Sequence, residues 1–318
     1  MTRILFVAHV SLGWQKNVIR QFKYKANCAI ICPSNLDIAS EPGVEHFYFR
    51  KHRGIGLGFF GYVARLEKAF CAFQPDIIVP LDDVSAWTLR GIRCGGRLFE
   101  VLDKSLGYRD FYRIVNNRQE FSCFSRMMGF NVPHSVTENE PVDFPSIMKE
   151  NQSTGGFGVG YVRNTKDVER FPWRKGIIYN LKRSFRRKLL QKSGSLASID
   201  YKYQIQEIIP GPVYGHVAFA LDGKTICQTA FAIIRDSYIE EFGISNQQAI
   251  IMSKITQRKI YSMAENLISN LKMSGFIHLE FIGEPNNIHV LECNPRLTAK
   301  PFTTEDGASF VDQVLAAL

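Results

Sequence analysis

The sequence predicts an α/β protein in which a small parallel α/β layer precedes a larger mixed α+β unit. Three observations carry this. Residues 1–81 alternate short apolar runs with segments of helical period, the pattern of a parallel layer. A fresh helix start stands near residue 113. Residues 203–235 and 277–294 then read as successive strands joined by tight turns, the pattern of antiparallel pairing. A length of 318 residues favours about two domains, and 45% apolar composition is ample for their cores.

In the first layer ILFVAHV is a strand, residues 14–22 a helix and CAIIC a second strand. Residues 59–73 form a helix with apolar side chains at helical spacing, and DIIVPL is a third strand. The first strand-to-helix turn, HVSLGWQ, holds one glycine and lacks G-x-G-x-x-G, which argues against a dinucleotide site. The run GIGLGFFG at 54–61 has no clear strand before it and reads as a flexible loop. Further on, Asn117 with Glu120 three residues later resembles a capping box. Phe121, Phe124 and Met128 make a helical stripe that Gly129 ends before NVP. Residues 144–162, FPSIMKENQSTGGFGVGYV, give a strand bearing Lys149, a glycine-rich turn and a second strand. The strands of 203–235 are broken at PGP and turned at Asp-Gly, residues 253–271 form a helix, and 277–282 pairs with 288–294 around GEPNN.

Composition narrows the setting. No run approaches the ~20 apolar residues of a membrane span, and RILFVAHV, interrupted by His9, reads as the first strand of a soluble protein. The seven cysteines include no CxxC pair, and most sit in apolar runs, which predicts reduced thiols in a cytoplasm rather than a disulfide frame or zinc site. The net charge of +9 is local. Residues 174–192 contain eight Lys or Arg and no acid, so the rest of the chain carries about +1. Ile178, Leu181, Phe185 and Leu189 fall at helical spacing there, predicting an amphipathic cationic helix. A solvated face, recruitment of an acidic substrate, and contact with an anionic membrane or nucleic acid all stay open for it.

The last hairpin, HLEFIGEPNNIHVLECNPR, poses the chemical question, because each apolar run is interrupted by one glutamate. With Ile282 opposite Val290, Glu280 falls opposite Glu292 and His278 opposite Asn294, all on one face. Directly opposed residues have Cβ atoms roughly 5 Å apart, so two ionised carboxylates there repel unless a cation lies between them. Magnesium takes oxygen ligands from one or two carboxylates and fills its shell with water and substrate phosphates, which suits Glu280, Glu292 and the amide oxygen of Asn294. Arg296, two residues on, can meet a phosphate or a developing oxyanion. An edge hairpin with water-facing glutamates is the plainer alternative. In the 144–162 hairpin, Gly155, Gly156 and Gly158 would let backbone amides approach phosphate oxygens while Lys149 adds a point charge. No GK[ST] follows, so this is not a Walker loop.

Taken together, these segments resemble the ATP-grasp superfamily, most closely its carbamoyl-phosphate-synthetase-like carboxylate-amine ligases. The resemblance covers about residues 113–318, and its most specific element is LEFIGEPNNIHVLECNPRLT with its E-x-N-P-R ending. It implies a Rossmann-like pre-ATP-grasp domain at 1–112 followed by an ATP-grasp domain at 113–318, with a mobile lid subdomain at about 140–208. By the same resemblance Glu280, Glu292 and Asn294 would hold Mg2+, or Mn2+, on ATP. Arg296 would face the transferred phosphoryl group, and Arg118 and Lys149 would bind phosphates under the glycine loop. Glu207 with the backbone of Ile208 and Ile209 would read the adenine edge. Many relatives place a ribose-binding glutamate after the PG break, where this sequence has Val213.

The function expected is therefore an ATP-dependent ligase that forms a C–N bond through an acyl phosphate, with small-molecule carboxylate and amine substrates. Arg235 is a candidate for gripping the substrate carboxylate. A small-molecule kinase on the same nucleotide site, and a non-catalytic nucleotide-gated binding module, remain as alternatives. The acid, the nucleophile and the oligomeric state have no signature in the sequence.

Overall fold

A computed structural model of the protein describes residues 1–49, 57–136, 142–151, 159–170, 203–235, 247–302 and 307–318. The glycine loop, with Gly155, Gly156 and Gly158, and the basic segment 174–192 lie outside them.

The first layer is built on β1 (Arg3–Val7), α1 (Gln15–Lys23), β2 (Asn27–Pro33), β3 (Glu45–Phe49), α2 (Leu57–Phe73), β4 (Ile77–Pro80), α3 (Asp83–Arg90) and α4 (Gly96–Leu106). Its four strands are all parallel, in the order β3-β2-β1-β4. Both faces of β1 are buried, which is why it reads as a continuous apolar run. Ile4 and Phe6 pack with Val18, Ile19 and Phe22 of α1, while Leu5 and Val7 pack with α2 and α4. Strand β3 and helices α3 and α4 go beyond the sequence reading, and α2 begins at Leu57, so the second half of GIGLGFFG is helix rather than loop.

Short helices α5 (Tyr112–Asn116) and α6 (Arg118–Met127) follow. The Asn117 side chain caps α6 by accepting from the backbone N–H of Gln119 and Glu120. The Glu120 side chain turns to Arg113 instead of closing the box. Strands β5 (Ser135–Val136), β6 (Ser146–Glu150) and β7 (Val159–Val162), helix α7 (Thr165–Arg170) and strand β8 (Tyr203–Gln206) come next. Their strands make a second, antiparallel sheet in the order β5-β8-β6-β7. β6 and β7 are the two arms of the predicted glycine-rich hairpin.

The third sheet collects β9 (Val213–Leu221), β10 (Lys224–Arg235), β11 (Gln247–Ile250), β12 (Gly275–Ile282) and β13 (His289–Asn294). Its order is β11-β10-β9-β12-β13, antiparallel throughout. The Asp222-Gly223 turn between β9 and β10 has positive φ at both residues, 47° and 75°, as a two-residue hairpin loop with this twist requires. Helix α8 (Lys254–Asn270) covers one face, burying Ile260, Ala264, Leu267 and Ile268 against Ile277, Leu279 and Phe281. The opposite face of β12 presents Phe276, His278, Glu280 and Ile282 by strand alternation. Phe276 joins the core of the first layer, where helix α9 (Gly307–Ala317) also packs. The remaining residues of that face form the site.

Among the described residues no helix is long and apolar enough to cross a membrane. The cysteines are free. Cys28, Cys32 and Cys227 are buried as expected, but Cys71 and Cys123 are exposed, because they fall on the outer faces of α2 and α6.

Candidate active site

The β12–β13 hairpin sets Glu280 directly opposite Glu292 and His278 opposite Asn294. The register differs from expectation nearer the turn. Phe281, not Ile282, faces Val290, and Ile282 faces His289, because one extra residue on β13 makes a bulge beside Glu280. The bulge has a use. Val290 joins the core under α8, while Leu291 joins an apolar cluster with Val213, Ile233 and Ile282 on the face that carries Glu292. A greasy wall thus ends directly at the carboxylates.

Glu292 is well coordinated by the protein itself. Its Oε2 accepts from Arg118 Nε at 2.7 Å, its Oε1 from Asn294 Nδ2 at 3.1 Å, and Arg118 also donates to the Glu150 carbonyl at 2.8 Å. Burial alone would raise the pKa of Glu292. Arg118 foremost, then Lys149 and the Asn294 amide, overcome it and hold the carboxyl at about 2, below its ordinary 4.5. The same reciprocity raises Arg118 against its own desolvation. Arg118, at the start of α6, Lys149, on β6, and Glu292, on β13, are therefore one electrostatic group drawn from three elements.

Arg296 is anchored from the first layer. Asp83, the first residue of α3, accepts from Arg296 Nε at 2.5 Å and from its second terminal nitrogen at 3.4 Å. The backbone N–H of Leu297 donates to the carbonyl of Pro80, at the C-terminal end of β4, and the buried Arg90 donates to the Pro295 carbonyl at 3.2 Å. The NPR segment is thus seated on the carboxyl edge of the parallel sheet, the edge at which open α/β sheets bind ligands. Asp83 is not among the residues expected from the sequence. Its signal was the acid pair of PLDDVS, placed where a buried strand meets a helix start. Asp82 serves that helix as its N-cap and also accepts from the backbone N–H of His9.

On the other side of the carboxylates, Ile209 packs against the cluster of Val213, Ile233, Ile282 and Leu291, with Phe231 beside it. Val213 is 4% exposed in this wall. The Glu207 carboxylate accepts from the backbone N–H of His134 at 2.7 Å, and its own N–H donates to the His134 carbonyl, so Glu207 fastens the strand end of β8 to the segment before β5. Ile208 and Ile209 follow it, half-exposed. Arg235 ends β10, and its side chain lies outside what is described.

Among the described residues no three His, Cys, Asp or Glu side chains converge as a metal cluster. The donor set here is two carboxylates and an amide, all hard oxygens, with Glu292 ionised down to pH about 2. That chemistry fits Mg2+ or Mn2+ and not a thiolate- or imidazole-preferring metal.

No protein-family model and no curated protein sequence matches the chain. Solved structures do. An L-amino acid ligase from Bacillus licheniformis is 14% identical with a TM-score of 0.64, the likeness covering 99% of this chain and 73% of that one. D-alanine–D-alanine ligase from Bacillus anthracis is 14% identical with a TM-score of 0.57, covering 99% and 97%. The biotin carboxylase domain of Hydrogenobacter thermophilus 2-oxoglutarate carboxylase, solved with MgADP and bicarbonate, is 12% identical with a TM-score of 0.64, covering 98% and 68%. Identities this low speak to architecture, and the architecture they share with this chain across nearly its whole length is the ATP-grasp fold.

Proposed function

We propose that the protein is an ATP-dependent ligase that joins a small carboxylic acid to an amine, with ADP and phosphate as products. One observation carries the reading: Glu280 and Glu292 stand opposed at the end of an apolar wall, with Arg118, Lys149 and Arg296 close enough to act on them electrostatically. The solved ligases of the same fold support it.

The wall of Ile209, Val213, Ile233, Ile282 and Leu291 would take the nucleotide base, with the backbone of Ile208 and Ile209 at its edge. Arg118 and Lys149 would share their charge with the phosphates. Glu280, Glu292 and Asn294 would hold magnesium, which supplies charge neutralisation and alignment when bound. A carboxylate oxygen of the acid would attack the terminal phosphorus in line, ADP would leave, and the amine would displace phosphate from the resulting acyl phosphate. The protein has little covalent work in such a transfer. Its part is positioning and electrostatic stabilisation, and Arg296, held by Asp83, would face the transferred group.

The test is a screen of acids and amines in pairs for ADP and phosphate release. Release that needs both partners, and that Glu292→Gln abolishes while the variant still unfolds in a single cooperative transition, is expected. Release with an alcohol and no acid would make the protein a kinase. Nucleotide binding without turnover across the screen would make it a binding module.

A further inference from the structure

Glycine inside a strand weakens it unless something approaches closely. Gly215, in the middle of β9, has such a reason. It pairs with Phe231 of β10 on one side and with Glu280 of β12 on the other. A Cβ placed on Gly215 would fall 2.1 to 2.7 Å from three atoms of the Phe231 ring. The ring therefore lies across β9, over the glycine, and reaches His278 of β12, two strands from its own, with ring centroids 6.0 Å apart and planes inclined by 27°. Nζ of Lys300 sits 5.3 Å from the centroid of the same ring. His278 Nδ1 stands 3.8 Å from Glu280 Oε1, and its Nε2 is buried without a hydrogen-bond partner in a residue only 9% exposed. A buried ring nitrogen left unpaired carries a desolvation cost that a ligand can relieve.

The order of groups along β12 says what the corner faces. Ile282 lies in the apolar wall with Ile209, Glu280 comes next, and His278 follows on the side of Asn294 and Arg296. If the base of a nucleotide rests on the wall and its phosphates reach the carboxylates, whatever receives the terminal phosphoryl group approaches from the His278 side. There the floor is an aromatic ring, one edge is an imidazole, and an ammonium lies over the ring.

We propose that Phe231, His278 and Lys300 form the seat of the acid substrate, a small carboxylic acid whose carboxylate is held by Lys300 and hydrogen-bonded by His278 Nε2 while its carbon skeleton rests on Phe231. Gly215 is the residue that makes the seat possible. This rests on the ligase reading of the neighbouring carboxylates and adds to it the place and chemistry of the acid.

The test is calorimetric titration of the full chain, saturated with Mg2+ and ADP, by a panel of aliphatic and aromatic monocarboxylic acids, dicarboxylic acids and amino acids. At least one class binds saturably. Lys300→Gln weakens that binding by about tenfold or more, the size of a lost charge-assisted hydrogen bond, and Lys300→Arg keeps most of it. Gly215→Ala, which drives the ring off its place, weakens it as well, and adding Phe231→Leu to that variant does not restore it, because the floor stays lost. The affinity for MgADP stays within about twofold in the two Lys300 variants. The proposal falls if no acid binds while MgADP does, or if the acid that binds is indifferent to both Lys300→Gln and Gly215→Ala. A wild-type chain that does not bind MgADP overturns the nucleotide reading itself, and the seat with it.

Discussion

Replacing Arg118 by methionine should destabilise the metal-free protein by roughly 3 kcal/mol at neutral pH, a figure reached by two routes. Glu292 is held at about 2 against an ordinary 4.5, and at 1.36 kcal/mol per pH unit that difference corresponds to roughly 3 kcal/mol of net favourable interaction with the ionised form, to which Arg118 contributes most and Lys149 and Asn294 the remainder. Independently, removing one partner of a buried ion pair costs about 3–5 kcal/mol, and the side chains of Arg118 and Glu292 are only 12% and 16% exposed. For a chain of this size the loss appears as a fall of about 4–5 °C in melting temperature. The pH dependence has a definite sign. A carboxyl whose folded pKa is depressed contributes fully above its unfolded value, so the wild-type contribution is complete above pH 4.5 and fades as the pH falls towards 2. The gap between wild type and Arg118→Met should therefore be smaller at pH 3.5 than at pH 7. Guanidinium denaturation in EDTA at the two pH values measures it, and Arg118→Met/Glu292→Leu should recover most of the loss because neither charge is left alone. A single variant as stable as wild type, or a double variant whose loss is the sum of the two singles, would refute the pairing as the source of the shift.

Three further outcomes follow from other parts of the molecule. His216, fully buried and bonded through Nε2 to Gln228 Oε1 at 2.7 Å, is lowered by burial to about 4 from 6.5, so it favours the folded state above pH 6.5 and that contribution, roughly 3 kcal/mol, is lost as the pH falls to 4. His216→Gln should flatten the stability profile over that window, and an unchanged slope would show that another group sets it. Gly275 has φ +79° and a Cβ there would stand 2.0 Å from the Ser105 carbonyl oxygen, so Gly275→Ala should lower stability by roughly 2–4 kcal/mol, read by chemical denaturation. Asn117→Ala removes the acceptor for two backbone N–H groups at the start of α6 and should cost about 1 kcal/mol, whereas Asn117→Ser should restore most of it.

What the sequence displays and what it hides divide along the range of the interactions. The opposition of Glu280 and Glu292 is legible because it depends on a single hairpin, where turn residues and alternation set the register within a short stretch. Even there the bulge at Leu291 is invisible, since an extra residue on one strand changes no composition, and the glutamates stay opposed only because the irregularity falls on the turn side of them. The cap at Asn117 and the turn at Asp222-Gly223 are local in the same sense. Asp83 is not. Its partner Arg296 is 213 residues away, and nothing near PLDDVS requires an arginine. The Phe231 platform is hidden for a third reason. It needs a glycine on one strand, an aromatic on the next and a histidine on a third, and each residue alone is ordinary for its strand. Residues that meet only because three strands are adjacent leave no period in the chain. The acid seat proposed here would be built from contacts of that kind, so if it holds, the part of the molecule that sets its substrate is the part its sequence shows least.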